Sequence, residues 1–180
     1  MRYGEYIGTI RYLPMNEGLA PCDALASRHC IPDELLDESW EVGRLVLAPR
    51  YRSGPDALKR CLLLTLVHLI EQMPVDNLFA SCTPVLSRLY RRFGFNVLVK
   101  EASQDAEGSY SLIHGKVPDV LRALVSTDAE ILTARRRCSS DIVFSLLPLT
   151  NTAAAAPSQF AEHIGRVFGY EIITSLMIWS

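Results

Sequence analysis

Two short runs rich in β-branched, aromatic and aliphatic residues, Tyr6–Leu13 and Trp40–Leu47, predict strands, the first ended by Pro14. The second feeds a turn through Pro49 and Gly54 and then a helix beginning near Pro55. Strict alternation along Trp40–Leu47 puts Glu41 and Arg44 on opposite faces. A bulge near Gly43 would add one residue and bring both onto one face. Pro55–Met73 predicts the longest helix, with Asp56 in its first turn. Arg60, Thr65, His68, Glu71 and Gln72 fall on one arc at 100° per residue, and leucines fill most of the rest. His68 on that arc reads as a hydrogen-bonded or solvated surface residue.

The punctuation continues downstream. Pro74–Asn77 predicts a turn and Leu78–Cys82 a short apolar strand. Thr83 is placed to cap a helix with Pro84 at its first position, and Gly94 to close it. Leu86, Leu89, Tyr90 and Phe93 mark that helix's inner face. Phe95–Glu101 and Ser109–His114 predict antiparallel strands around a turn at Gln104–Gly108, and Pro118 opens a short helix. Residues 14–38, with Pro14, Gly18, Pro21 and Pro32 and then the acidic pairs Asp33-Glu34 and Asp37-Glu38, read as a long loop holding a short helix at Asp33–Asp37. Beyond residue 126, Ile142–Leu149 and Tyr170–Trp179 predict strands. Asn151–Pro157 reads as a linker, and Phe160, Ile164, Val167 and Phe168 share one helical face stopped at Gly169. This C-terminal stretch, 127–180, suits completion of the sheet or a homodimer contact.

Length and composition narrow the classes. A chain of 180 residues suits one domain that buries roughly 70% of its unfolded surface. Its 49% hydrophobic and 21% charged content describes a soluble globular protein. A formal net charge of −2 argues against a generally basic nucleic-acid binder, and Arg135–Arg137 reads as a solvated turn. Five widely spaced cysteines with no C-x-x-C favour a reducing cytoplasm over a disulfide scaffold or a metal site. No signal peptide is visible, and no stretch approaches the ~20 apolar residues of a membrane span.

Three blocks carry a resemblance. Trp40-Glu41-Val-Gly-Arg44 on a strand leading into a turn and long helix resembles the GNAT acyltransferase superfamily. It is nearest the branch of acyl-homoserine-lactone synthases and N-acyl amino-acid synthases. Arg88-Leu-Tyr-Arg-Arg-Phe-Gly-Phe95 is similar to the helix-to-strand signature of many GNAT enzymes. Gly8-Thr-Ile-Arg-Tyr-Leu-Pro14 resembles the arginine-bearing strand of the signalling-molecule synthases. Together they cover roughly residues 4–125, so residues 1–126 resemble the core of a single domain spanning 1–180.

The resemblance implies an α/β fold: a twisted, mostly antiparallel sheet with helices on both faces and two parallel strands splayed into a V. An acyl-phosphopantetheine thioester would slot between the strand ending at Leu47 and Leu78–Cys82, against main-chain groups near Leu45, Leu47 and Cys82. The superfamily's phosphate loop, Arg/Gln-x-x-Gly-x-Gly/Ala, corresponds to Arg52-Ser-Gly54-Pro-Asp-Ala57. Pro55 removes a donor there and Asp56 adds a negative charge, so the loop suits acyl carrier protein better than coenzyme A. Arg50, Arg52, Lys59 and Arg60 are then placed to meet an acidic carrier. Glu41 is the implied general base, or else a structural partner of Arg44. Tyr90 is the implied proton donor to the thiolate, or else a core tyrosine. Arg11, Arg44 and Trp40 are implied at the acceptor site. No metal is implied. The synthase families carry an additional segment before the strand equivalent to Tyr6–Leu13; with Met1 so close to Arg11, that segment is expected to be missing. Three functions stay open: acyl transfer from acyl carrier protein or acyl-CoA to an amino-acid-like amine, acetyl-CoA-dependent acetylation of a small molecule, and a non-catalytic binding module.

Overall fold

The computed structural model describes residues 4–18, 20–52, 55–105, 108–125, 129–132, 142–148 and 170–179. Seven strands form one sheet among them: β1 (Gly4–Pro14), β2 (Ser39–Leu47), β3 (Asn77–Cys82), β4 (Asn96–Asp105), β5 (Gly108–Lys116), β6 (Ile142–Pro148) and β7 (Tyr170–Trp179), in the order β4-β5-β3-β2-β1-β7-β6. Five of the neighbouring pairs are antiparallel. The exception is β2–β3, which is parallel and is joined by the long helix α3 (Pro55–Gln72). A parallel pair needs such a crossover, and an 18-residue helix supplies it. The mixed α/β arrangement expected from the sequence, a mostly antiparallel sheet with helices on both faces and one parallel pair, is therefore the arrangement observed.

Helices cover both faces. On one, α3 packs with α4 (Pro84–Arg91) and α5 (Val117–Leu124) over Ile10, Tyr12, Val42, Leu78, Ala80 and Ile113. On the other, α1 (Pro21–Arg28) and α2 (Asp33–Leu36) bury Cys22, Leu25, Ala26 and Leu36 against Leu13, Phe79 and Leu112. The period-2 alternation of the strands explains the division. Even-numbered residues of β1 and β3 serve the first core and odd-numbered residues serve the second.

Several local expectations need correction. The stretch 14–38 is not a long loop, because α1 occupies its middle. Pro21 sits at the helix start, and the Asp23 carboxylate accepts the Ala20 N–H at 3.3 Å and the Asn16 N–H at 2.8 Å, tying down the approach to the first turn. Thr65 is not on a solvated arc. It is fully buried, its hydroxyl 2.8 Å from that of Tyr12 and donating to the Cys61 carbonyl at 2.7 Å. The helix is buried almost all round, so a polar residue on it finds its partner inside. Leu86 is exposed, whereas Ser87 is buried and bonded to the Pro84 carbonyl. The first turn of α4 follows β3 within one residue and stands at the end of the sheet, so the packed stripe begins only at Leu89. Strand β4 runs to Asp105, past the expected Glu101, carried by two register shifts against β5 and a left-handed φ of 51° at Glu101.

The caps fall where the sequence places them. Thr83 accepts the Leu86 N–H at 3.4 Å, and Gly94 takes a φ of 86° after α4. A Cβ at Gly94 would lie 2.7 Å from the Asp119 carbonyl, so the glycine also lets α5 approach. The linker and helix expected within 149–169 lie outside the described residues.

Candidate functional site

Strands β2 and β3 stay together for only three residue pairs, Ser39↔Asn77, Trp40↔Leu78 and Glu41↔Phe79. Beyond them β2 runs on to Leu47 against β1, and β3 runs on to Cys82 against β5. The two strands part after Glu41 and Phe79 and open a V in the middle of the sheet. Among the described residues, backbone groups along that gap have no ladder partner across it, unlike those of an ordinary central strand.

Glu41 stands at the apex, 4% exposed. One carboxylate oxygen accepts from the Arg11 guanidinium at 3.2 Å. The other accepts the backbone N–H of Cys22, in the first turn of α1, at 2.7 Å. The expected pairing with Arg44 is thus replaced by pairing with Arg11. Across the β1–β2 ladder Arg11 faces Gly43, and its side chain passes over that glycine to reach Glu41. A Cβ at 43 would lie 3.2 Å from the Glu41 oxygen and 3.5 Å from the Arg11 nitrogen. Each carboxylate oxygen has two lone pairs, so one further donor can be taken up on each.

The bulge exists, one residue later than Gly43. From Thr9 to Arg11 strand β1 advances two residues while β2 goes from Val46 back to Gly43, three. Arg44 carries the distortion with a φ of 48°. Val42 and Leu45 both pack against the α3 side, so Gly43 and Arg44 between them fall on the face of Glu41. Arg44 is exposed there. Glu41, Arg11 and Arg44 are therefore brought to one face. Trp40 is not. It packs on the opposite, α3 side, and its indole N–H donates to the Pro74 carbonyl at 3.3 Å.

Tyr90 also lies on the α3 side, edge-on to Phe93 and Phe95 with ring centroids 6.4 and 5.6 Å away. Burial, with smaller contributions from the nearby Cys82 and Cys61 thiols, pushes its hydroxyl up to about 12. Cys82 ends β3, buried, its thiol pushed up to about 11 by burial. Burial likewise pushes the Cys61 thiol up to about 12. Leu45 and Leu47 turn their side chains toward Cys61, Leu64 and Val67 of α3. The Leu47 carbonyl accepts the Arg52 Nε–H at 2.8 Å, which closes the 3-10 turn Pro49–Tyr51. Arg50 stacks over Tyr51 at 5.1 Å. Ala57 is half-buried in the first turn of α3, and Gly54 lies outside the described residues.

The sequence reasoning missed Cys22, whose main chain reaches Glu41 from a segment read as loop. Proline followed two residues later by aspartate was the available signal. Among the described residues no cluster of histidine, cysteine and carboxylates could hold a metal, and no helix is long and apolar enough to cross a membrane.

No protein-family model matches the chain, and no curated protein matches it. Two solved structures are similar in part. One, from Lactobacillus plantarum, is assigned provisionally as an N-acetyltransferase. It shares 16% identity over 62% of this chain and 60% of its own, with a TM-score of 0.44. The other is a CoA-dependent acyl-homoserine lactone synthase, MesI, with 17% identity over 66% of this chain and 60% of its own, also at 0.44. The chain spans about 60% of the length of each.

Proposed function

We propose that the chain is an N-acyltransferase that moves an acyl group from a phosphopantetheine thioester to an amino-acid-like amine. The observation that carries this reading is the V between β2 and β3, with a buried carboxylate and its guanidinium at the apex. An extended pantetheine arm is itself a strand-like partner, and unpaired strand backbone is what would bind it. The acyl carbonyl then lies in the gap, and the amine approaches over the Glu41 face.

The amine nitrogen attacks the thioester carbonyl carbon, and the C–S bond breaks as the tetrahedral intermediate collapses. Glu41 takes the amine proton, directly or through one water. Such a base is worth about 10²–10⁴ in rate. Tyr90, kept protonated by burial, donates to the departing thiolate from the opposite side of the gap and is reprotonated from solvent. Arg11, held by Glu41, and Arg44 on the same face suit the carboxylate of an amino-acid acceptor. Trp40, on the other side, supports the apex by packing.

The donor is best read as acyl carrier protein. Arg52 already closes the turn after β2, Pro55 lacks an N–H, and exposed Asp56 stands where a pyrophosphate would sit. A carrier protein's arm has no pyrophosphate to cradle. Arg50 and Arg52 are exposed and Lys59 and Arg60 half-buried beside the mouth, suited to an acidic partner. The test is a transfer assay with hexanoyl- and octanoyl-carrier proteins and with acetyl-CoA, against a panel of amino acids. Turnover with the carrier proteins and little with acetyl-CoA is expected. Turnover with acetyl-CoA alone would favour acetylation of a small molecule, and none with any donor would leave a binding module.

A further inference from the structure

We infer that Ser81 is a further catalytic residue of this site, the group that holds the attacking amine; the inference rests on the acyltransfer reading above. Strand β3 is central, flanked by β2 and β5, and its other residues, Asn77, Leu78, Phe79, Ala80 and Cys82, are all buried. Ser81 alone is exposed. A solvent-facing hydroxyl in the middle of a sheet means that no helix among the described residues covers it. The core under α1 and α2 takes in Phe79, Leu112, Ala102 and Val99 on this face and leaves Ser81 exposed beside it.

The position is set by register. Phe79 pairs with Glu41 at the last contact between the strands, and Ser81 is two residues further on, so its side chain shares the face of Phe79 and Glu41. The corresponding step on β2 is Gly43, which carries no side chain. The uncovered floor on this face is thus bounded by the Arg11–Glu41 pair on the β2 side and the Ser81 hydroxyl on the β3 side. The opening of the V lies between them. An amine seated there meets a carboxylate and a neutral hydroxyl at once. The Ser81 oxygen accepts one amine N–H and so aims the nitrogen lone pair at the carbonyl carbon in the gap. The second N–H is left for Glu41. No covalent bond to Ser81 forms, and its own proton stays in place.

The test compares wild type, Ser81→Ala and Ser81→Thr in the carrier-protein transfer assay, with melting temperature measured on the same preparations. Because Ser81 is exposed, Ser81→Ala leaves the melting temperature unchanged. It lowers kcat about 10-fold or more with the KM for the acyl donor unchanged, and Ser81→Thr retains most of the activity. The acid limb of the pH–rate profile stays where it is in wild type, since the base is untouched. Wild-type kcat in Ser81→Ala would overturn the role of Ser81 alone. Equal losses in both variants with a lowered melting temperature would overturn it as well, by making Ser81 structural. A wild type that transfers from no donor would overturn the acyltransfer reading, and the role of Ser81 with it.

Discussion

Arg11 lies directly across the β1–β2 ladder from Gly43, and the missing side chain at 43 is what lets its guanidinium reach Glu41 at 3.2 Å. The pair ties β1 to β2 at the point where β2 leaves β3. The Cys22 N–H ties the same carboxylate to α1. Three elements thus meet on one buried side chain.

Gly43→Ala should therefore loosen the pair without disturbing either strand's ladder. The added methyl meets the Glu41 oxygen at 3.2 Å, closer than ordinary contact. A loss of about 1 kcal/mol in urea unfolding is expected, from strain at a polar contact. Transfer activity should fall further than stability does. An unchanged unfolding midpoint would mean that the pair shifts aside freely.

The Tyr12–Thr65 bond offers a test of the α3 core. Thr65→Val leaves a buried phenol without its partner and should cost about 1–3 kcal/mol. Adding Tyr12→Phe removes the orphaned hydroxyl and should restore much of that loss. A double-mutant cycle in urea reads the coupling directly, and strictly additive losses would contradict the assignment.

Two histidines set a pH dependence. Burial lowers the titration of both His68 and His114 from the ordinary value; Glu71 opposes the shift at His68, and Lys116 reinforces it at His114. A lowered folded value means that the unfolded chain binds the proton first. Their contribution is present in full above about pH 6.5 and is lost as pH falls through the folded values. The urea midpoint should drop between pH 7.5 and 5.5, and the drop should shrink in a His68→Gln, His114→Gln double variant. A midpoint that falls equally in both proteins would place the dependence elsewhere.

Local punctuation made most of the fold legible. Thr83–Pro84 and Gly94 bracket α4, and the apolar runs around Trp40 and Leu78 mark the two strands that form the V. These signals are short-range and survive folding unchanged. What was not legible depends on contacts far apart in sequence. Arg11 and Glu41 are 30 residues apart, and which arginine meets the carboxylate was decided by the phase of a bulge one residue beyond Gly43. Thr65 fell on one arc with Arg60 and Glu71, and its buried partner, Tyr12, is 53 residues away. The helix α1 was missed because its apolar positions, Cys22, Leu25 and Ala26, are few, and its start is secured by an aspartate bonding back to Asn16 and Ala20.

The donor preference has its own test. Titration calorimetry with acetyl-CoA should show weak binding, since Arg52 is engaged with the Leu47 carbonyl and Asp56 repels phosphate. Asp56→Asn should tighten it by removing a like charge, with transfer from carrier protein little changed. Micromolar affinity in the wild type would contradict the carrier-protein reading.

The most direct test of Glu41 as the base is single-turnover transfer by Glu41→Gln, with melting temperature taken on the same preparation. Glutamine keeps the shape and can still accept from Cys22, but it cannot take a proton. The half-buried Arg11 loses its counter-charge, so some fall in melting temperature is expected in either case. The account predicts a transfer rate at least about 10²-fold below wild type at a temperature where the variant is still folded, with acyl-donor affinity nearly unchanged. A folded variant that melts early yet transfers at the wild-type rate would contradict it, and would leave Glu41 as the residue that only holds Arg11.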